Sequence, residues 1–383
     1  MKKRILFLIQ DLGGGGAERV LVNLVNHMDQ ECYDITVQTV FRGGVNAKLL
    51  NENITYRCSK AKSIPGSSFV YKFIPARVLY KRFVGNEHYD LMIAFRSGIP
   101  TKILCGCPDE YVGKLTWVHY GNSRHSLYFM PWLFKRNAFK AYANFDRIVA
   151  VSQIAAESFT EYTGIQTVEV VYNTNDSERI HRLMDLEPND CLQMDEPHST
   201  HLVAVGRLMP QKGFSRLIRI VSKLKIKNYD IDLMILGEGV EREKLEQQII
   251  DLGLDGVVRL LGFKDNPYSY MKHADLLVCS SLEEGLSTVI TEALITGTPV
   301  ISTDVSGAKE VLGFHNEYGI VTGNSEEELY QGICKLLDDR QLLDHYKAKA
   351  QERGSQFSMS QTVEEAQKLF DEILAKGSHQ KEL

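Results

Sequence analysis

Short, nearly unbroken apolar runs recur along this chain of 383 residues, each followed by a longer amphipathic stretch. Leu276-Leu277-Val278-Cys279 is one of them. A strand that is apolar at every position must be covered on both faces, which is the condition of a parallel sheet flanked by helices. The first half offers strands at 4–10, 35–40, 91–95, 114–118, 147–151 and 168–172. The second half offers them at 202–206, 231–237, 257–261, 276–279 and 299–303. Amphipathic helices fit between, as at 16–28, 213–225, 241–252, 326–337 and 360–375. This alternation, occurring twice, predicts two doubly wound α/β domains. The expected boundary lies within 173–200, where periodicity fails and Asn, Asp, Ser, Glu and Pro collect.

Totals narrow the function classes. No apolar run approaches the ~18 residues of a membrane span. The start, Met1-Lys2-Lys3-Arg4 followed by the apolar Ile5 to Ile9, imitates a signal peptide, but the stretch is short and glycines come after it. It reads as a first buried strand. Seven cysteines lie scattered, with no zinc-like pair of pairs; Cys105-Gly106-Cys107 is the one close spacing. Reduced thiols in a cytoplasmic protein are the plainer reading. The net charge of −5 divides unevenly: residues 1–172 hold 21 Lys/Arg against 14 Asp/Glu, and residues 173–383 hold 23 against 35. Halves of opposite charge suggest different partners.

In open α/β sheets ligands bind beyond the carboxyl ends of the strands. The tips are Gln10 to Arg19, His119 to His125, Gly206 to Gly213, Gly237 to Val240, Gly262 to Asn266 and Glu283 to Thr288. The last leads into Glu284-Gly285-Leu286-Ser287-Thr288 and on to Glu292. If Ser287 opens a helix, Glu284 stands outside its positive end, and Glu292 lies about 12 Å further along the helix direction. The amides near Leu286, Ser287 and Thr288 then face an anion. Gly13-Gly14-Gly15-Gly16-Ala17-Glu18-Arg19 comes after the first strand and allows close backbone approach, though it fits neither the G-x-G-x-x-G nor the P-loop register. Arg207 and Lys212, leaving the strand at Val205, suit a phosphate pair, as fork and point charge. The plain alternative is a solvated basic loop.

His119, Ser152 and Asn173 are polar residues at strand ends, each able to serve a ligand or simply to cap the next element of the chain. Asp230-Ile231-Asp232 imitates a metal-diphosphate motif but precedes its strand, so no metal is expected. From Asn53 to Asn86 seven basic residues occur with no acid, interleaved with Phe69, Tyr71, Phe73, Tyr80 and Phe83; Tyr128 to Arg136 is similar. Residues 53–86 and 128–136 read either as ordinary amphipathic structure or as contacts with an anionic membrane surface. No nucleic-acid motif accompanies them.

Taken together, these pieces resemble the retaining nucleotide-sugar glycosyltransferases of family 4, with the GT-B fold. The matching residues are Gly15-Gly16-Ala17-Glu18-Arg19, His119, Val205-Gly206-Arg207 with Lys212-Gly213, Leu236-Gly237-Glu238-Gly239, and Glu284 with Glu292 as E-x7-E. The ordered set spans nearly the whole chain. The resemblance implies two Rossmann-like domains, 1–180 on the acceptor side and 181–358 on the donor side, facing across a cleft, with a helix at about 359–377 returning to the first. It implies a nucleotide-diphosphate sugar donor, a UDP-sugar, without a metal cofactor. Arg207, Lys212 and the amides of Leu286, Ser287 and Thr288 would hold the diphosphate, helped by Gly15 and Gly16. Glu292 would take the ribose, Phe263 the base, Glu284 the sugar hydroxyls, and His119 the sugar near its reacting carbon. The acceptor expected is a glycan or lipid-linked glycan of a bacterial surface polysaccharide or glycoconjugate. The protein would then be cytoplasmic, peripheral on the inner face of the cell membrane. The family's asparagine-glycine turn reads Asn173-Thr174-Asn175 here, which leaves Asn173 without an assigned role.

Two alternatives stand beside this reading. Another enzyme on the same fold, an epimerase acting on UDP-sugars or a sugar phosphorylase, would share the diphosphate contacts and differ in its product. A non-catalytic nucleotide-sugar or glycan-binding protein would be expected to lack Arg207, Lys212 or Glu284, and all three are present.

Overall fold

A computed structural model describes residues 2–13, 15–58, 67–119, 129–187, 199–284 and 286–381. The chain divides into two units: Met1–Thr174 together with Ser360–Leu383, and Asn175–Met359. Each is built on one parallel sheet.

In the first unit the strands are β1 (Lys3–Ile9), β2 (Tyr33–Thr39), β3 (Thr55–Cys58), β4 (Leu91–Ala94), β5 (Gly113–Val118), β6 (Arg147–Ala150) and β7 (Val168–Val170). They lie in the order β3-β2-β1-β4-β5-β6-β7. Ile5 on β1 sits opposite Ile35 on one side and Leu91 on the other. Ile5 through Ile9 are all fully buried, which is why the run reads as unbroken. The sequence pattern missed β3, because Thr-Tyr-Arg-Cys forms a half-exposed edge with no apolar run.

The second unit carries β8 (Thr200–Val205), β9 (Ile231–Leu236), β10 (Val258–Gly262), β11 (Leu276–Cys279), β12 (Val300–Thr303) and β13 (Ile320–Thr322). Their order is β10-β9-β8-β11-β12-β13. Strand β13 also escaped the sequence reading, being a three-residue edge. Alternation supplies two cores. Leu233 and Ile235 join one with the helix Phe214–Ile226, whereas Met234 and Leu236 join the other with the helix Thr288–Thr296.

Both sheets reverse their winding, between β1 and β4 and between β8 and β11. Such reversal points hold the ligand crevice in open α/β sheets. They single out the loops after β8 and β11 in one unit, and after β1 and β4 in the other.

The chain leaves the first unit after Thr174 rather than at residue 180, because the next helix, Ser177–Met184, packs with the second. Ile180 is buried in that unit's core, and the Leu183 carbonyl accepts from Asn266 Nδ2 at 2.9 Å. The final helix, Met359–Lys381, belongs to the first unit from Ser360 onward. Phe370 is fully buried, its ring 5.9 Å from that of Phe7 and 6.5 Å from that of Trp117. Tyr33 donates from its hydroxyl to Asp371 at 2.6 Å.

Candidate donor site

The loops at the β8–β11 reversal are fixed backbone to backbone. Gly206 N–H donates to the Leu236 carbonyl and Leu208 N–H to that of Glu238, both at 2.9 Å. A Cβ on Gly237 would lie 1.9 Å from the Gly206 carbonyl oxygen, so no larger residue fits. Gly213, at φ 67°, leads from the short turn Pro210–Lys212 into the helix Phe214–Ile226. A Cβ there would lie 2.1 Å from the Ser280 carbonyl oxygen. Leu282 N–H donates to the Gln211 carbonyl at 2.7 Å, and Ser280 Oγ to that of Lys212 at 3.0 Å.

This packing delivers two charges to one place. Lys212 Nζ donates to Glu284 Oε1 at 2.6 Å, and Ser281 Oγ donates to the same oxygen at 2.7 Å. A small depression is lined by Lys212, Glu284, Ser281, Ser287, Val205 and Val289 among others. Ser287 is the N-cap residue of the helix Thr288–Thr296. Its hydroxyl makes no capping bond and the first turn holds no acid, so the helix's positive end is not answered by its own side chains.

The expected site residues do not all converge. Lys212, Glu284 and Ser287 line the depression. Arg207 is exposed on the same loop and makes no ion pair among the described residues. Leu286 and Thr288 are half-buried at the helix start, and Glu292 is half-buried in the second helical turn. Because Glu284 precedes the helix, helical rise does not set its separation from Glu292. Phe263 is exposed just beyond β10. Gly285 lies outside the described residues.

In the first unit, Gly15 is the N-cap residue of the helix Gly16–His27. Glu18 folds back over it, so that a Cβ on Gly15 would lie 2.2 Å from Oε2. The buried Glu18 pairs with Arg96, beyond β4, at 3.1 Å. His119, beyond β5, is buried with its ring 5.0 Å from that of Phe95. Its Nε2 has no hydrogen-bond partner among the described residues. Burial, with a smaller push from the Arg96 charge, takes its pKa down to about 3, against a hydrogen bond to the Phe95 backbone. The ring is therefore neutral near pH 7. Residues 120–125, the rest of that tip, and Gly14 lie outside the described residues.

The family model described as Glycosyltransferase Family 4 matches residues 14–179, and that described as Glycosyl transferases group 1 matches residues 196–353. The chain belongs to the family 4 glycosyltransferases. Among similar proteins is the Campylobacter jejuni N-acetylgalactosamine-N,N'-diacetylbacillosaminyl-diphospho-undecaprenol 4-alpha-N-acetylgalactosaminyltransferase. It is 29% identical, over 96% of this chain and 99% of its own length. The Rhizobium meliloti lipopolysaccharide core biosynthesis glycosyltransferase LpsD is 25% identical over 94% and 96%. Among solved structures, Anabaena Alr3699/HepE in complex with UDP and glucose superposes with a TM-score of 0.76 at 22% identity, covering 97% of this chain and all of that one. That likeness shows the GT-B fold.

Set within a family 4 glycosyltransferase, the other polar candidates have structural partners. Ser152 Oγ caps the helix Gln153–Thr163 by accepting from Ala155 N–H at 3.1 Å. Asp232, of the D-x-D sequence, pairs with His201 at 2.9 Å and Arg259 at 3.4 Å. Asn173 is buried, and the adjacent Thr174 carbonyl accepts from Asn23 Nδ2 at 3.1 Å. Cys105 and Cys107 are free thiols, the former pushed up to about 12 by burial.

Two residues that sequence reasoning passed over organise these surfaces. Arg216 reads as one more charge on an amphipathic helix, yet it is buried beneath the Ser280–Glu284 loop. Lys102 reads as a surface lysine, yet it is buried, and burial depresses its pKa. Its Nζ donates to the carbonyls of Tyr71 at 2.7 Å, Lys72 at 3.3 Å and Pro131 at 2.8 Å. It thereby joins the two basic-aromatic segments, whose Phe69, Phe73 and Phe134 stand 58%, 61% and 67% exposed. Residues 59–66 and Tyr128 of those segments lie outside the described residues.

Proposed function

We propose that this family 4 glycosyltransferase moves a sugar from a UDP-sugar to a lipid-linked glycan acceptor in surface polysaccharide or glycoconjugate synthesis, with retention of anomeric configuration. The observation that carries the reading is the meeting of Lys212 and Glu284 beside the uncapped start of the helix Thr288–Thr296, at the winding reversal of the second sheet. The helix terminus and Lys212 suit a diphosphate, with the exposed Arg207 as a second cation. Glu284 suits sugar hydroxyls. In this assignment Glu292 takes the ribose, Phe263 the base, the Gly15–Gly16 turn assists with anionic groups, and the neutral His119 donates to or accepts from a sugar hydroxyl. The relatives support the acceptor class: one is named for a diphospho-undecaprenol-linked acceptor, another for lipopolysaccharide core synthesis.

The chemistry comes from the charges. The bond from the anomeric carbon to the β-phosphate oxygen breaks as the acceptor oxygen bonds to the same face of that carbon. The acceptor proton passes to the departing diphosphate. Positive groups fixed where this charge develops lower the barrier. The two-carboxylate alternative needs acids about 5–10 Å apart that flank the bond. Glu284, tied to Lys212 and Ser281, is held as a binding group rather than as an acid.

With an acceptor of this class, the enzyme would work at the inner face of the cell membrane. No helix among the described residues is long and apolar enough to cross a membrane. Contact would instead run through residues 53–86 and 128–136, whose cations and exposed aromatic rings suit anionic headgroups.

The test is a transfer assay with a panel of nucleotide sugars and undecaprenyl-diphosphate-linked acceptors, read by proton NMR of the product. The proposal expects acceptor-dependent UDP release and an anomeric centre of the donor's configuration. Inverted product, or turnover of UDP-sugars to epimers without an acceptor, would overturn it.

A further inference from the structure

Lys212 and Glu284 are assigned above to different parts of the donor, the diphosphate and the sugar, yet in the structure they hold each other. The Nζ–Oε1 separation is 2.6 Å, and the side chains are only 18% and 13% exposed. Ser281 Oγ also donates to Oε1. A diphosphate that engages Lys212 competes with Glu284 for the same ammonium charge, and drawing the side chain onto the phosphates takes it from the carboxylate. The carboxylate is then left mostly shielded from water, one side-chain length from a new negative charge. Both effects oppose binding.

An intact nucleotide sugar brings its own remedy, because sugar hydroxyls can donate to the carboxylate that Lys212 has left. A nucleoside diphosphate without the sugar brings none. We propose that the Lys212–Glu284 pair is an exchange latch that makes the donor site favour intact nucleotide sugar over free nucleoside diphosphate. Lys212 passes from Glu284 to the diphosphate, while Glu284 passes from Lys212 to the transferred sugar. Once the sugar has gone, re-formation of the pair competes with the retained diphosphate and promotes its release. The inference rests on the diphosphate assignment of Lys212 above.

The surroundings suit an exchange carried by side-chain torsions alone. The backbone under Glu284 is pinned: the Ser280 and Ser281 carbonyls accept from Arg216, and Leu282 N–H donates to the Gln211 carbonyl. The Lys212 stem runs over Gly206, where a Cβ would lie 3.2 Å from Cε. Glycine at that position leaves room for the lysine to swing.

Calorimetric titration with UDP near pH 7.5 tests the latch in wild type, Glu284→Gln and Lys212→Ala, with folding checked by circular dichroism. Removing the carboxylate's charge frees Lys212, so Glu284→Gln should bind UDP about tenfold more tightly than wild type while losing transfer activity. Lys212→Ala should bind UDP at least about tenfold more weakly. If Glu284→Gln binds UDP no more tightly while Lys212→Ala is weakened, the latch is wrong and the diphosphate role of Lys212 stands. If Lys212→Ala binds UDP like wild type, or wild type binds none, both fall. Glu284→Ala gives the same sign should the glutamine variant fail to fold.

Discussion

Arg216 grips the carbonyl oxygen of Ser280 with two donors, Nε at 2.9 Å and Nη2 at 2.7 Å. Nη2 also reaches the Ser281 carbonyl, and Nη1 the Asn324 carbonyl, each at 2.7 Å. Thr303 Oγ1 adds a second donor to Ser281 at 2.6 Å. The segment that presents Ser281 and Glu284 is thus anchored from inside the second unit. Burial, with a smaller push from Arg219, lowers the Arg216 pKa, yet a guanidinium keeps its charge inside a protein.

Arg216→Met should therefore unfold more easily, because the carbonyls of Ser280 and Asn324 lose their arginine donors and that of Ser281 falls back on Thr303 Oγ1. The expected loss is about 3–5 kcal/mol in urea unfolding of the second unit's transition. Arg216→Lys, which keeps the charge but not the fork, should lose less. Stability within about 0.5 kcal/mol of wild type for the methionine variant would show that the clamp holds nothing.

His119 predicts a pH dependence with a definite sign. Its folded pKa of about 3 lies below the ordinary histidine value of 6.5, so the neutral ring is the stable form. Its contribution is fully present above pH 6.5 and drains away as pH falls towards 3. At pH 5 that is about 2 kcal/mol relative to pH 8. Urea midpoints between pH 8 and 5 should fall less for His119→Gln than for wild type. Equal slopes would mean that the ring is not held neutral. The transfer rate should also show no histidine limb near pH 6.5.

The joined basic-aromatic segments make a prediction about lipid. The triple substitution Phe69→Ser, Phe73→Ser and Phe134→Ser removes exposed rings only, so thermal stability should change little. Flotation with phosphatidylglycerol vesicles should weaken at least about tenfold, and high salt should weaken the wild type towards the same level. Wild-type flotation by the triple variant would remove these segments from the account.

Legibility followed burial. Strands covered on both faces, such as β1 with Ile5–Ile9, announce themselves as apolar runs, whereas the edges β3 and β13 carry no such pattern. The glycines were legible as loop residues, but the reason for Gly237 was not: its missing Cβ makes room for the Gly206 carbonyl, a contact between strands distant in sequence. Lys212 and Glu284 were each visible as candidates, and their mutual bond was not, because 72 residues separate them. Arg216 and Lys102 were invisible for the same physical reason. A cation on a helix reads as solvated unless the carbonyls that will enclose it are known, and those come from chain segments far away in sequence.

The most direct measurement of the central claim is the UDP affinity of Arg207→Ala and Lys212→Ala by isothermal titration, with both variants folded. A charged hydrogen bond to phosphate contributes about 1.5–3 kcal/mol, so each substitution should weaken binding roughly ten- to hundredfold. Wild-type affinity in both variants would contradict the claim that these two cations hold the donor diphosphate.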